Sequence, residues 1–221
     1  MRRILVLRPE PGASRTVQRA GELGLDALSV PLFEIEPVPW TPPDATKFDG
    51  LLLTSANAVR HAGEQINALT SLPVYAVGAA TADVARDAGF DIAIAGDGGV
   101  DRLLNHIPSG VRLLHLCGEY RRMPADPDHE ITPIVVQAAK PIERPDLAEV
   151  KDVVAMIHSP RAGTRFGELV RERRSILIAA ISDAAADAVG TGWGAVEVAT
   201  YLNDYGLLAL AARLCDKPLP K

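Results

Sequence analysis

A chain of 221 residues that is 48% hydrophobic and carries a formal charge of −5 has enough apolar side chain for one large core or two small ones, which excludes a disordered chain. The acidic balance excludes a protein whose whole surface is a nucleic-acid footprint. The longest apolar runs, SILIAAI and GLLALAA, fall far short of the roughly 18 to 20 residues that span a bilayer.

The chain opens with MRRILVLRPE, where only about four apolar residues precede Arg8 and Pro9. That is too short for a secretory leader, so a cytoplasmic protein is expected. RILVLRPE starts a short unit (1–38) of strand, loop and return strand. FEIEPVPWTPPD follows, extended and proline-studded, which suits an edge or linking strand and excludes helix. A long unit (48–106) then alternates short apolar runs with helical patterns: FDGLLLT, helix NAVRHAGEQINAL, VYAVG, helix ATADVARDAG closed by Gly89, DIAIAG, and helix VDRLLNHI. A second short unit (111–142) opens with RLLHLCGE, an echo of RILVLRPE, and runs into a second extended connector, QAAKPIERPD. The last unit (150–221) reads DVVAMIHS, PRAGTRFGELVRE, ILIAAIS, DAAADAVGTG, VEVAT and YGLLALAARLC.

The two long units are copies. Ser55 and Ser159 lie 104 positions apart, and the same offset pairs Gly63 with Gly167, Ala76 with Ala180, Asp83 with Asp187 and Leu103 with Leu207, with about a dozen identities over about fifty ungapped positions. Strands alternating with helices in each copy predict an α/β fold with parallel sheets. The connectors fall at both junctions between short and long units, as two passages between two lobes would require.

In such sheets ligands bind beyond the carboxyl ends of the strands, where loops feed helix N-termini that favour anions. That rule selects LRPEPGAS, TSANA, VGAAT, LCGEYRR, HSPRAG, ISDAAA and ATYLNDY. Within them Thr54, Ser55 and Asn57 can donate to a carboxylate, although a hydroxyl or amide before a helix equally serves as its N-cap. Ala79 and Thr81 sit in the small loop VGAAT, and Ser182 stands in ISDAAA at the place of Gly78. Arg161 can fork onto a carboxylate or stand free on the surface. His158, beside Ser159 at a strand end, merits a test, but no Ser–His–Asp arrangement can be assembled from spacing. His115 alternates with Leu114 and Leu116 on a strand.

The remaining motifs carry no chemistry. GDGGVD is not a dinucleotide fingerprint, GxxxxGK[ST] is missing, and DPDHE has neither EF-hand nor HExxH spacing. Cys117 and Cys215 match neither a CxxC pair nor a metal quartet. No metal and no nucleotide sensor are expected. Basic residues group at Arg2 and Arg3, Arg121 and Arg122, and Arg171, Arg173 and Arg174, for which solvated faces are the plain reading.

Taken together, TSANAV, AVGAATA, LCGEYRR, HSPRAG and VEVATYLNDYGLLALA resemble the uroporphyrinogen-III synthase family, in order and across essentially the whole chain. The resemblance implies two similar α/β lobes, 1–36 with 144–221 and 41–136, joined by linker strands 37–40 and 137–143. It implies closure of hydroxymethylbilane to uroporphyrinogen III, with inversion of the terminal ring and loss of water, by a lyase without cofactor or metal. The matching positions are Thr54, Ser55, Asn57, Gly78, Thr81, Gly118 and Ser159, with Arg8, Arg122 and Arg161 available to an eight-carboxylate substrate. It further implies a small-molecule tetrapyrrole substrate, with a transient contact to the preceding pathway enzyme as an open expectation. No nucleic acid and no membrane are expected as partners. The short proline-bearing linkers and the lack of an obvious oligomerisation helix make a monomer the default.

Two positions depart from the pattern. Gln137 stands where the family usually has a tyrosine thought to assist departure of the hydroxyl, and an amide is no ordinary proton donor, so no catalytic residue is assigned. ISDAAA offers Ser182, Asp183 and Ala185 where Gly-Pro and threonine are usual, placing a carboxylate where an anion is expected. These departures keep a second reading open, a non-catalytic two-lobed protein that binds a tetrapyrrole or another acidic ligand.

Overall fold

The computed structural model describes residues 1–97, 99–120, 128–148 and 150–216. Its chain divides into two units, Met1–Glu34 with Pro141–Lys221 and Ile35–Lys140.

The first unit is built on a five-stranded parallel sheet. Strands β1 (Ile4–Val6), β2 (Ala27–Ser29), β9 (Val154–Ile157), β10 (Leu177–Ala180) and β11 (Ala195–Val198) lie in the order β11-β10-β9-β1-β2. Ile4, Val6, Val154, Met156, Leu177 and Ala179 share one face and pack with Ala13 and Ala20 of α1 (Gly12–Glu22) and Leu207, Leu210 and Leu214 of α7 (Asp204–Cys215). The alternate residues Leu5, Ala155 and Ile178 point to the other face and are equally buried. A strand buried on both sides reads as a continuous apolar run, which is why ILV, VAMI and LIAA show no alternation. Helices α5 (Pro160–Leu169) and α6 (Asp183–Ala188) approach closely: a Cβ on Gly163 would lie 2.8 Å from the Ala185 carbonyl oxygen, and one on Gly167 2.8 Å from that of Val189.

The second unit carries a six-stranded sheet, β3 (Phe33–Pro37), β8 (Glu130–Pro141), β7 (Arg112–Gly118), β4 (Gly50–Leu53), β5 (Val74–Ala76) and β6 (Ile92–Ala95) in spatial order, parallel from β8 to β6. Leu51 and Leu53 face one core with Ala58, Ile66, Leu69 and Phe90, whereas Leu52 faces a smaller one with Leu103, Leu104, Ile107 and Leu113. Helices α2 (Ala56–His61), α3 (Ala79–Asp87) and α4 (Val100–Leu104) supply these layers. The proline-bearing connectors FEIEP and QAAKP lie in neighbouring strands: β3 is the edge strand beside β8.

The repeat is structural. Ser55 and Ser159 cap α2 and α5, Gly78 and Ser182 cap α3 and α6, and α4 and α7 begin at Val100 and Asp204, each pair at the same offset.

Two expectations need correction. The first short unit is not strand, loop and return strand: α1 intervenes, and β2 runs parallel to β1. The buried face of α1 is Ala13, Thr16 and Ala20, all small residues, and Gly24 at φ +73° marks its end. NAVRHAGEQINAL is not one helix either. Gly63 at φ +70° ends the α-helical segment, and Glu64–Leu69 continues as 3-10 helix.

Candidate functional site

In the second unit the selected loops follow β4, β5 and β7. Thr54 closes β4, and its hydroxyl lies 3.0 Å from Nε2 of His115, a fully buried residue on the neighbouring strand. The Ser55 hydroxyl accepts the Asn57 N–H at 3.2 Å and caps α2, and Asn57 Oδ1 accepts from Arg60 at 3.1 Å. Gly78 is extended before α3, Ala79 is exposed at its start, and Thr81 is buried in its first turn. Gly118 ends β7 at a register shift that sets it opposite Gln137, and a Cβ there would lie 3.5 Å from Gln137 Nε2. Gln137 is 7% exposed, and its Oε1 finds no hydrogen-bond donor among the described residues. Arg122, with Arg121, lies outside the described residues.

In the first unit the loops after β1, β9 and β11 converge on Asp204. Arg8 Nη1 donates to Asp204 Oδ1 at 3.0 Å, the Thr16 hydroxyl lies 2.8 Å from the same atom, and Arg19 Nη1 pairs with Oδ2. His158 Nε2 lies 3.0 Å from Oδ1. Gly12 makes room for the arginine, since a Cβ there would lie 2.5 Å from Arg8 Nε. Burial acts to raise the Asp204 carboxyl pKa, but hydrogen bonds from His158 and Thr16 and the charge of Arg8 outweigh it and hold the group well below the ordinary carboxylate range. Burial lowers the His158 pKa, and its bond to Asp204 only partly opposes that. At neutral pH the pair is therefore a carboxylate and a neutral imidazole that donates through Nε2.

The other first-unit candidates stand apart from this cluster. The Ser159 hydroxyl caps α5 through the Ala162 N–H at 3.2 Å, and Ser182 caps α6 through Ala185 at 3.4 Å. Arg161 lies over the Phe33 ring, 4.3 Å from its centroid. Asp183 occupies the first turn of α6 and is exposed. The structure thus joins Arg8 to His158 among the candidates. It adds Asp204, Thr16, Arg19 and His115, none of which was singled out as a ligand. ATYLNDY lay in the selected loop set, but partners at 8, 16, 19 and 158 leave no spacing to read.

Lys151, Arg171, Arg174 and Gly192 help line a groove of about 640 Å³. These residues lie before β9, β10 and β11, at the opposite end of the sheet from the loops that favour a ligand. Among the described residues no group of three or more His, Cys, Asp or Glu side chains is placed to hold a metal ion, and no helix is long and apolar enough to cross a membrane.

Comparison with known proteins agrees with this architecture. A family model described as uroporphyrinogen-III synthase HemD matches residues 14–126. The uroporphyrinogen-III synthase of Chlorobaculum parvum is 36% identical over 90 residues, and the alignment covers 37% of each chain, so this chain matches little more than a third of that relative. The crystal structure of uroporphyrinogen-III synthetase from Helicobacter pylori 26695 superposes with a TM-score of 0.63 at 19% identity, covering 97% of this chain and all of that one. A mutant uroporphyrinogen III synthase from the extremely thermophilic bacterium Thermus thermophilus gives 0.50 at 16% identity, covering 98% and 100%. At these identities the solved structures establish the fold.

Proposed function

The chain belongs to the uroporphyrinogen-III synthase family, and from that premise we propose that it closes hydroxymethylbilane to uroporphyrinogen III, a cofactor-independent hydro-lyase step of tetrapyrrole and haem biosynthesis. The observation that carries the reading is the family match over residues 14–126, more than half of the chain.

The terminal hydroxyl leaves as water once it gains a proton, giving a delocalised cation. Attack on that cation by the substituted carbon at the far end forms a spiro intermediate, which fragments and recloses with the last ring inverted and a proton lost. Unassisted closure gives the un-inverted isomer, so the protein's task is to hold a flexible chain in one geometry and limit water. Positioning and fixed dipoles suffice for that, and no strong nucleophile is required.

Carboxylates of the substrate meet the loops at the strand ends. Thr54, Ser55, Asn57, Gly78, Ala79, Thr81 and Gly118 serve in one unit, and Arg8, Ser159, Arg161 and Ser182 in the other, where His158 acts through Asp204; Arg122 is given the same role from the sequence alone. Caps at Ser55, Ser159 and Ser182 keep the helix N-termini ordered while free backbone N–H groups remain available to anions. In the first unit two guanidinium groups face one carboxylate, which leaves an excess of positive charge on an acidic chain. A cytoplasmic monomer that takes its substrate from the preceding pathway enzyme completes the reading.

The test is to generate hydroxymethylbilane in situ, add the protein, oxidise the products and separate the type I and type III uroporphyrins. Type III is expected to dominate. Type I alone, at the rate seen without protein while a known synthase works alongside, would transfer the assignment to a binding protein.

A further inference from the structure

Asp204 gathers more donors than its place in α7 demands. The helix is already capped by Asn203, whose Oδ1 accepts the Gly206 N–H at 2.8 Å, and an acid in the first turn needs no partner to favour the helix end. Yet its side chain, 13% exposed, receives Arg8, Thr16, Arg19 and His158 from the loop after β1, from α1 and from the end of β9. Two guanidinium groups, a hydroxyl and an imidazole N–H around one carboxylate make a receptor for that group.

We propose that Arg8, Thr16, Arg19 and His158 form a carboxylate seat that Asp204 fills, and that Asp204 is thereby a positioning residue: it fixes the Arg8 guanidinium in the orientation that group presents to an acidic ligand, with the His158 N–H as one of the donors that hold the carboxylate in place. The ligand's identity rests on the synthase reading, whereas the seat rests on the distances alone. Arg8 uses Nη1 on Asp204 and remains 34% exposed, so other N–H groups of its fork can take a second carboxylate. Without Asp204 the two arginines repel each other and His158 loses the acceptor that selects its tautomer.

The experiment is a thermal titration of Asp204→Ala with sodium formate, with sodium chloride as the ionic-strength control. Formate fills the vacated seat, so the melting temperature of the variant rises saturably and by more than that of the unsubstituted protein, whose seat is already filled. If Asp204→Ala folds only with formate present, that is the same result in stronger form. Asp204→Leu, of similar size and with no acceptor, carries the second measurement: ¹⁵N spectra of His158 lose the fixed Nε2–H tautomer. The third readout is binding of uroporphyrin III, weakened about tenfold in Asp204→Ala and restored by formate, as expected for disordering a charged hydrogen-bonding group. A variant indifferent to formate, with the His158 tautomer unchanged in Asp204→Leu, overturns the seat. Formate that restores melting but not binding, or an unsubstituted protein that does not bind uroporphyrin III, overturns the positioning role. Absence of type III product from the unsubstituted protein sinks the synthase reading, while the formate and imidazole results still decide the seat.

Discussion

Asp204 and His158 make the first unit sensitive to acid, and the direction follows from their surroundings. Both have folded pKa values below their ordinary ones, so in each case the unfolded chain binds a proton more readily. The His158 contribution is present above about pH 6.5 and is lost as pH falls through its lowered value. The Asp204 contribution is present above about pH 4 and is lost at still lower pH. Asp204→Asn is expected to cost about 1–3 kcal/mol at pH 7, the range for losing hydrogen bonds to a charged group. Urea unfolding from pH 8 to pH 2 checks this: the gap between the two proteins should narrow below pH 4. A gap independent of pH would mean that the charge of Asp204 contributes nothing. Arg8 illustrates the limit of single-residue reading, because a guanidinium after a strand is a sound ligand candidate, while its partner lies 196 positions away.

At the scale of elements, one pair of glycines separates local preference from context. Gly63 and Gly167 are equivalent in the repeat, yet Gly63 ends its helix at positive φ while Gly167 lies inside α5. Gly167 is retained there by packing, because α6 and its C-terminal end press against that face of α5 at Gly163 and Gly167. Gly163→Ala is therefore expected to destabilise by about 1–3 kcal/mol, the usual cost of overpacking, although alanine is the better helix former. Thermal melts should show a fall in Tm, and a rise would mean that α5 and α6 separate without cost. Hydropathy made the strands legible, since four-residue runs such as LIAA fit only an interior strand between turns. Helix α1 escaped notice although its amphipathic period is strong: GASRTVQRAGE is polar on average, carries two glycines and has only small residues on its buried stripe, so no large apolar side chain marks it as a core helix.

For the whole molecule, two sheets with separate cores raise the question of cooperativity. Trp40 packs against the second unit's core, and Trp193 stacks on Phe166 in the first at 5.2 Å. Each unit thus carries its own fluorophore. Trp40→Phe and Trp193→Phe, unfolded in urea, should give two different midpoints, as expected for domains that melt independently. Coincident midpoints in both variants would show that the units unfold as one.

The sequence leaves capping open at Ser55 and Asn57, and the structure decides it for Ser55, Ser159 and Ser182. The fold class, the duplication and the strand-end loops were legible in the sequence. They depend on interactions within a few residues, on the period of burial, or on a copy of the same segment, and a linear pattern records each of these. The short 3-10 continuation after Gly63, the tolerance of Gly167 inside α5 and the pairing of Thr54 with His115 were decided by tertiary structure. So was the seat around Asp204, whose donors at 8, 16, 19 and 158 meet only because β1 and β9 lie side by side and α1 and α7 cover the same face of the sheet. A charge network of that kind is set by the packing of distant elements, and residue order carries no period or spacing from which to read it.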